Sequence, residues 1–240
     1  MKNKFIFIII FALQFLNFTN LNSGETIKLE STKIELLDKG NIIKSSKGVK
    51  VDYLDELTIT GNNSIYDKSK NKIEISGDVV VKDHLKNIKI KTNKINYEID
   101  KEILKILLKT EINIENKYKI SGSNFIYDRK NLIFKSDEEA LVEDSRSNSF
   151  KVSNFEFNLK NEIIVSEKLK FTDIDKNQLY LESATINLNN NEIAGKEIAF
   201  DFEKNIFGNE KNDPRFRGRA FTSNNEETSI YDLHQSGALK

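Results

Sequence analysis

The sequence of 240 residues predicts an all-β protein, elongated and built from about six repeats of 30 residues. Three observations lead to this fold class: a residue pattern with a fixed period, apolar residues that alternate along each unit, and polar clusters typical of tight turns. The single proline and the ten glycines agree with a chain that is almost entirely regular structure.

Composition excludes several classes of protein. The 37 Lys+Arg and 37 Asp+Glu give a formal net charge of +0, so no excess of positive charge indicates a nucleic-acid partner. The apolar fraction of 38% is sufficient for a packed core. The absence of cysteine excludes disulfides, thiolate metal sites and cysteine nucleophiles.

Residues 1–23 have the features of a secretory signal peptide. Two lysines lie within the first four residues, an apolar stretch covers 5–18, and polar residues cover 19–23. The apolar stretch is shorter than the roughly 20 residues that span a bilayer, which disfavours a membrane anchor. We expect cleavage near Ser23 and export.

The repeat is defined by anchor residues, small or polar in most units, that recur every 30 or 31 positions: Ser31, Gly61, Thr92, Gly122, Val152 and Ser183. Apolar side chains stand three and five positions after each anchor, except at Ser64. A spacing of two places both on one face of a strand. We expect the following residues to point inward and to line a groove: Ile95, Tyr97, Phe125, Tyr127, Phe155, Phe157, Ile186 and Leu188.

Clusters of Asp, Asn and Lys at 38–41, 67–71, 128–131 and 189–191 predict hairpin turns. A second apolar strand follows each cluster and a third follows in most units, which predicts roughly sixteen to eighteen strands over residues 26–205. Residues 101–109 taken alone would also fit a short amphipathic helix, but their place in the repeat favours a strand.

The repeat stops beyond residue 207, where the composition changes. Three of the five arginines follow the only proline in the short motif Pro214, Arg215, Arg217, Gly218 and Arg219. The segment is expected to be either an exposed linker or a boundary in which guanidinium groups contact phosphate or carboxylate.

No catalytic constellation is visible. His84 and His234 are isolated, and no phosphate-binding glycine loop is present. Neighbouring carboxylates such as Glu138 and Glu139 point to opposite faces of a strand, which makes a poor acid–base pair. Tyr66, Tyr97 and Tyr127 fit core packing better than base stacking. We therefore expect no catalytic residues, no metal, no cofactor, no nucleic acid, and a protein that is not an enzyme.

Two units carry a resemblance to a known family: residues 59–67, Ile-Thr-Gly-Asn-Asn-Ser-Ile-Tyr-Asp, and residues 120–128, Ile-Ser-Gly-Ser-Asn-Phe-Ile-Tyr-Asp. They resemble the OstA-type β-jellyroll of the lipopolysaccharide transport proteins, which is shared by LptA, LptC and the N-terminal domain of the outer-membrane assembly protein LptD. The resemblance covers about residues 26–207. Residues 213–220 resemble the segment that precedes the barrel in LptD proteins.

The resemblance implies an open, V-shaped jellyroll that holds the acyl chains of lipopolysaccharide, in the periplasm and associated with the outer membrane. The implied organisation is a signal peptide at 1–23, the jellyroll domain at 24–207, and a linker at 208–240 toward a C-terminal barrel. Implied partners are lipopolysaccharide, an LptA-type bridge protein joined by strand addition and, if a barrel follows, an LptE-type outer-membrane lipoprotein.

The chain departs from LptD in having no cysteine and no barrel. It therefore fits either the N-terminal part of such a protein or a stand-alone periplasmic LptA-like carrier. A β-solenoid surface protein and a purely structural scaffold are the alternatives from other classes.

Overall fold

The computed structural model describes residues 27–173, 175–201 and 215–235, and these residues form eighteen strands with three short 3-10 turns and no α-helix. The strands are β1 (Ile27–Leu37), β2 (Ile42–Tyr53), β3 (Leu57–Asp67), β4 (Lys72–Asp83), β5 (Ile88–Glu98), β6 (Ile103–Ile106), β7 (Thr110–Ile114), β8 (Tyr118–Gly122), β9 (Phe125–Asp128), β10 (Ile133–Asp144), β11 (Ser149–Asn158), β12 (Ile163–Thr172), β13 (Gln178–Leu181), β14 (Ser183–Asn187), β15 (Glu192–Asp201), β16 (Arg215–Ser223), β17 (Thr228–Tyr231) and β18 (His234–Gln235).

The predicted turn clusters are confirmed: 3-10 turns cover Asp38–Gly40 and Lys68–Lys70, and turns also lie at 129–132 and 188–191. A further 3-10 turn, at Ile99–Lys101, was not predicted. Asp67 caps its turn by accepting hydrogen bonds from the hydroxyl of Ser69 at 2.6 Å and from the backbone N–H of Lys70 at 3.3 Å. Such short polar side chains satisfy backbone groups locally and tolerate turn conformations, so the repeat reverses direction at these positions.

The strands form an antiparallel meander in which the long strands pair with those before and after them in the chain. Interrupted strands such as β6 and β7 share the same neighbour, β5, and do not pair with each other. A β-solenoid would instead stack parallel strands from successive coils. The solenoid alternative is therefore wrong for this fold, and the prediction of an elongated all-β repeat protein is confirmed.

A line of irregularities crosses the sheet near the middle of the long strands, and we call it the crease. The pairing register shifts there between Ser31 and Lys33, Thr60 and Asn63, and Ser76 and Val79. In other places the strand is interrupted, as between β6 and β7 or between β13 and β14. The repeat anchors lie on this line, because bulges and small residues allow a sheet to bend sharply.

The crease divides the sheet into two halves. The first half-sheet contains residues 27–31, 49–53, 57–61, 79–83, 88–92, 110–114, 118–122, 139–144, 149–153, 168–172, 178–181, 198–201 and 215–218. The second half-sheet contains residues 33–37, 42–46, 63–67, 72–76, 94–98, 103–106, 125–128, 133–136, 155–158, 163–166, 183–187, 192–196, 220–223 and 228–231.

The sheet folds at the crease so that the two half-sheets pack face to face around one apolar core. The ring of Tyr118 on the first half-sheet meets that of Phe157 on the second at 5.7 Å, and Tyr53 meets Tyr97 at 6.0 Å, both edge to face. Facing inner surfaces of this kind are how a sheet buries its apolar side chains without helices.

The structure corrects the sequence prediction on the length of the strands and on the linker, and it decides between strand and helix at residues 103–106. Most units contribute long strands bent at the crease, not three separate short ones, because a bulge bends a strand without ending it. Residues 103–106 form strand β6, so the helical alternative is wrong. The predicted linker over 208–240 contributes strands β16 to β18 to the same sheet.

The predicted signal peptide lies outside the described residues. Within the described ranges, no helix has the length and apolar character that crossing a membrane requires.

Candidate functional site

The inner face of the second half-sheet carries an unbroken row of apolar side chains that stand directly opposite one another from strand to strand. The row is Leu36, Ile43, Tyr66, Ile73, Tyr97, Leu104, Tyr127, Phe134, Phe157, Ile164, Ile186 and Ile193. We call it the second inner row. Cross-strand neighbours of this kind are the units by which sheets stabilise themselves.

The inner face of the first half-sheet carries a matching row. The first inner row is Leu29, Val51, Ile59, Val81, Ile90, Ile112, Ile120, Val142, Phe150, Phe171, Leu179, Phe200 and Phe216. Sequence reasoning did not assign these residues to the groove, although the same alternation marks them, for example at Val79 and Val81.

The residues predicted to line a groove all point into the interior from the second half-sheet or its adjoining turn. Each is at most 8% exposed, and Tyr97, Phe125, Tyr127 and Phe157 are fully buried. They fill the space between the half-sheets, with Tyr127 stacked on Phe134 at 4.3 Å. In this conformation the residues form a packed core and not an open channel.

Several side-chain hydrogen bonds between the two half-sheets join residues about 45 positions apart. The hydroxyl of Tyr127 donates to Asp83, 44 residues earlier, and Lys117 pairs with Glu162, 45 residues later. Arg146 donates to Asn191, again 45 residues later. A segment of the second half-sheet is therefore covered by the segment of the first that precedes it by one and a half repeats.

The described apolar side chains at the β1 end of the interior are exposed. Leu36 is 65% exposed, and Ile34 on the same face of β1 is 48% exposed. Ile43 and Tyr66 are half-buried. The apolar surface that is core elsewhere thus becomes an open groove at this end.

A second opening lies between the tips of the half-sheets near β14. A cavity of about 130 Å³ is lined by Ile186 and Leu188 from the second half-sheet and by Phe150 and Phe171 from the first. Arg146 and Asn191 also line it. Two predicted groove residues therefore border on accessible space.

A buried polar cluster lies where β4 ends and β9 ends. Arg129, directly after β9, has a side chain that is only 4% exposed. Its Nε donates to Asp83 at 2.9 Å and its Nη1 to Glu102 at 2.8 Å, and Nη2 lies 3.5 Å from Glu56. The guanidinium carbon lies 6.0 Å from the centre of the Tyr53 ring.

An ion pair in this cluster connects the two half-sheets. Asp83 is 1% exposed and ends β4 on the first half-sheet, whereas Arg129 follows a strand of the second. Burial alone lowers the pKa of Arg129, but the hydrogen bond and the charge of Asp83 outweigh it, so the pKa stands above its usual value. Burial, reinforced by the charge of Asp83, raises the pKa of Tyr127. Both groups therefore keep their protons at physiological pH.

The sequence could have indicated this cluster. Arginine is rare in this lysine-rich chain, and the guanidinium group is favoured for buried, multiply bonded ion pairs. The sequence pattern places Arg129 in the predicted turn at residues 128–131. Asp128 does cap the turn, accepting from Asn131 at 2.9 Å, while Arg129 turns inward.

The arginine motif extends beyond the described residues, because Pro214 lies outside them. Arg215, Arg217, Gly218 and Arg219 lie in β16, which pairs with β15. Arg217 donates to Asp201 at 3.0 Å, and Arg219 lies 4.0 Å from Asp232, so both guanidinium groups contact carboxylates of the same sheet.

Among the described residues, no group of three or more His, Asp and Glu side chains has a metal-binding arrangement. His84 lies 3.0 Å from the hydroxyl of Thr58 on the outer face. What the described residues offer is an apolar interior with an opening at the β1 end and a second one near β14, bridged by a buried ion-pair cluster.

No family model matches the chain, and no curated protein matches it. Among solved structures, the chain is similar to LptH of Pseudomonas aeruginosa, described as the LptA-homologous periplasmic component of the conserved lipopolysaccharide transport device. The two are 18% identical with a TM-score of 0.42, over 47% of this chain and 82% of that one. A likeness of this size does not assign a function.

Proposed function

We propose that the chain is a non-catalytic lipid-transport protein of the periplasm that binds the acyl chains of lipopolysaccharide between its half-sheets. The observation that carries the proposal is the second inner row, which runs without a polar interruption from Leu36 to Ile193 and is open at the β1 end. The sequence resemblance to the OstA-type transport proteins favours the same ligand.

The chemistry of the open end suits an acyl chain. Covering exposed apolar surface stabilises a complex by about 0.8 kcal/mol for each buried methylene group, and Ile34 and Leu36 offer that surface in line with the core. Nearby, the hydroxyls of Ser45 and Ser64 are buried without a hydrogen-bond partner. An ester or amide carbonyl at the head of an acyl chain would accept from them.

Strand addition would connect the chain to its neighbours. Among the described strands, β1 pairs only with β2, so its other edge presents unpaired backbone groups. An LptA-type bridge protein would add a strand there and cover Leu36 and Ile34 with its own half-sheet, which would extend the interior from one protein into the next.

The finer proposal is that the chain is the N-terminal periplasmic domain of an LptD-type assembly protein associated with the outer membrane, with an LptE-type lipoprotein as a partner. The motif at residues 213–220 supports it. A stand-alone LptA-like carrier uses the same interior. The mass of the epitope-tagged protein in cells distinguishes the two, since a barrel would add many strands.

A binding experiment with purified protein tests the conduit itself. The double variant Ile34→Asp/Leu36→Asp places two charges on the exposed inner face of β1 without touching the core, so it should fold and lose lipopolysaccharide binding. The matched control Lys33→Asp/Glu35→Asp changes the outer face of the same strand and should bind normally. Equal binding by both variants, or no binding by the wild type, would overturn the proposal in favour of a scaffold.

A further inference from the structure

Two neighbouring hairpins at the tip of the first half-sheet present exposed leucines at their apices. Leu54 lies in the turn between β2 and β3 and is 49% exposed, and Leu85 lies in the turn between β4 and β5 and is 60% exposed. The backbone N–H of His84 donates to the carbonyl of Glu56 at 2.8 Å, so the two turns lie side by side. Because equivalent points of adjacent hairpins are separated by two strand spacings, the two apices lie about 10 Å apart.

Leu54 occupies a backbone conformation that disfavours it. Leu54 and Asp55 have φ values of 51° and 55°, and the N–H of Glu56 donates to the carbonyl of Tyr53 at 3.0 Å. These are the features of a type I′ turn, in which Asn and Gly are preferred because both central residues have positive φ. A bulky apolar residue at this exposed position is unfavourable for the isolated fold, and strain of this kind is often retained at binding sites.

Lysines surround the second apex. Lys82 and Lys89 stand directly opposite each other in the register of β4 and β5, and like charges in that position destabilise a sheet. Lys86 lies within the turn itself. Among the described residues, none of these three lysines has a carboxylate within 4.0 Å.

The acidic residues at this tip are neutralised by other cations. Arg129 bonds both Asp83 and Glu56. Lys28 lies 3.9 Å from Asp55, and Lys50 lies 2.5 Å from Asp52. Glu115 lies 3.7 Å from Lys117. Across the ladder, Glu111 stands opposite Lys91 and Glu143 opposite Lys119, whereas Lys82 and Lys89 stand opposite each other. The lysines therefore dominate the charge of this surface.

From this arrangement we propose that the hairpin tips dock on an anionic lipid bilayer, with Leu54 and Leu85 entering the interface and Lys82, Lys86 and Lys89 contacting lipid headgroups. Apolar apices flanked by lysine are the arrangement by which proteins bind the surface of a membrane without spanning it. The long lysine side chains hold their charges at headgroup level while the leucines lie deeper. A protein partner would instead need two separate apolar pockets, one for each leucine.

Vesicle co-flotation of the exported protein tests the proposal. Vesicles of phosphatidylcholine mixed with phosphatidylglycerol should bind the wild type, and vesicles of phosphatidylcholine alone should bind it far more weakly. The triple variant Lys82→Gln/Lys86→Gln/Lys89→Gln should weaken binding on the order of a hundredfold, since each lysine at an anionic surface contributes a few-fold to tenfold. The matched variant Lys33→Gln/Lys44→Gln/Lys47→Gln removes equal charge from β1 and β2 and should bind like the wild type.

The leucines provide a second, independent readout. Leu85→Ser should weaken binding several-fold, whereas Leu107→Ser, at an exposed leucine on the crease, should not. Leu54→Asn should also weaken binding while the melting temperature stays the same or rises, because asparagine suits the turn. Equal binding to neutral and anionic vesicles, equal loss in both lysine triples, or no binding to either vesicle would overturn the proposal and leave an acidic protein as the partner of this surface.

Discussion

Removing the charge of Arg129 should destabilise the protein far more than removing an exposed arginine. In Arg129→Met, Asp83 stays 1% exposed and keeps only the Tyr127 hydroxyl at 3.1 Å and the N–H of Lys86 at 3.3 Å. Breaking a buried pair in this way costs about 3–5 kcal/mol, because the remaining charge is left uncompensated. Glu102 and Glu56 are about one-third exposed and regain hydration.

Asp83→Asn should cost less, about 1–2 kcal/mol, because Arg129 keeps Glu102 at 2.8 Å as a partner. The double variant Asp83→Asn/Arg129→Met should lose less stability than the sum of the two single changes, since it leaves no orphaned charge. Arg146→Met provides the control: that side chain is 56% exposed, so its loss should change stability by about 0.5 kcal/mol or less.

Equilibrium unfolding in urea measures these differences. With a slope of about 2–3 kcal/mol per molar, a loss of about 3–5 kcal/mol lowers the midpoint by about 1–2 M. An Arg129→Met midpoint that equals that of Arg146→Met, with an unchanged slope, would refute the view that the buried cluster holds the two half-sheets together.

Three further predictions concern other parts of the fold. The pKa of Glu98 is lowered from 4.5 to about 2, chiefly by the hydrogen bond from Lys105 and then that from Lys101. Its contribution to stability is therefore present above about pH 4.5 and lost as the pH falls toward 2, so unfolding midpoints of Glu98→Gln should vary less with pH over that window. Gly195→Ala should cost about 1–3 kcal/mol in urea unfolding, because a Cβ there would lie 2.4 Å from the carbonyl oxygen of Ser183. Phe157→Ala should lower the free energy of unfolding by about 3–5 kcal/mol, since it empties a fully buried site; a loss under 1 kcal/mol would contradict the packing.

The sequence predicted the parts of the fold that depend on local pattern. The anchors, such as Gly61 and Gly122, mark the crease because a Cβ would be too close to neighbouring atoms there, 2.6 Å from Ile75 in the first case. The inward direction of Tyr97 and Phe157 followed from alternation, which is a property of every strand. These features are encoded residue by residue.

The sequence did not predict how the half-sheets face each other. The offset of 45 residues results from the twist and fold of the whole sheet, and no local motif records it. Without it, the meeting of Arg129 with Asp83 cannot be foreseen. The strand β16 was missed for another reason: it lacks the anchor spacing of the repeat, yet eight of its residues pair with β15.

Site-specific photo-crosslinking in cells tests the lipid conduit most directly, with inner and outer neighbours compared on the same strand. Labelling at Leu36 on the open inner face is compared with labelling at Glu35 on the outer face. Labelling at the half-buried Tyr66 is compared with labelling at the exposed Ile65. We predict lipopolysaccharide adducts at Leu36 and Tyr66 and none at Glu35 and Ile65. Equal labelling of the two faces, or no adduct at either inner position in folded, exported protein, would contradict the account.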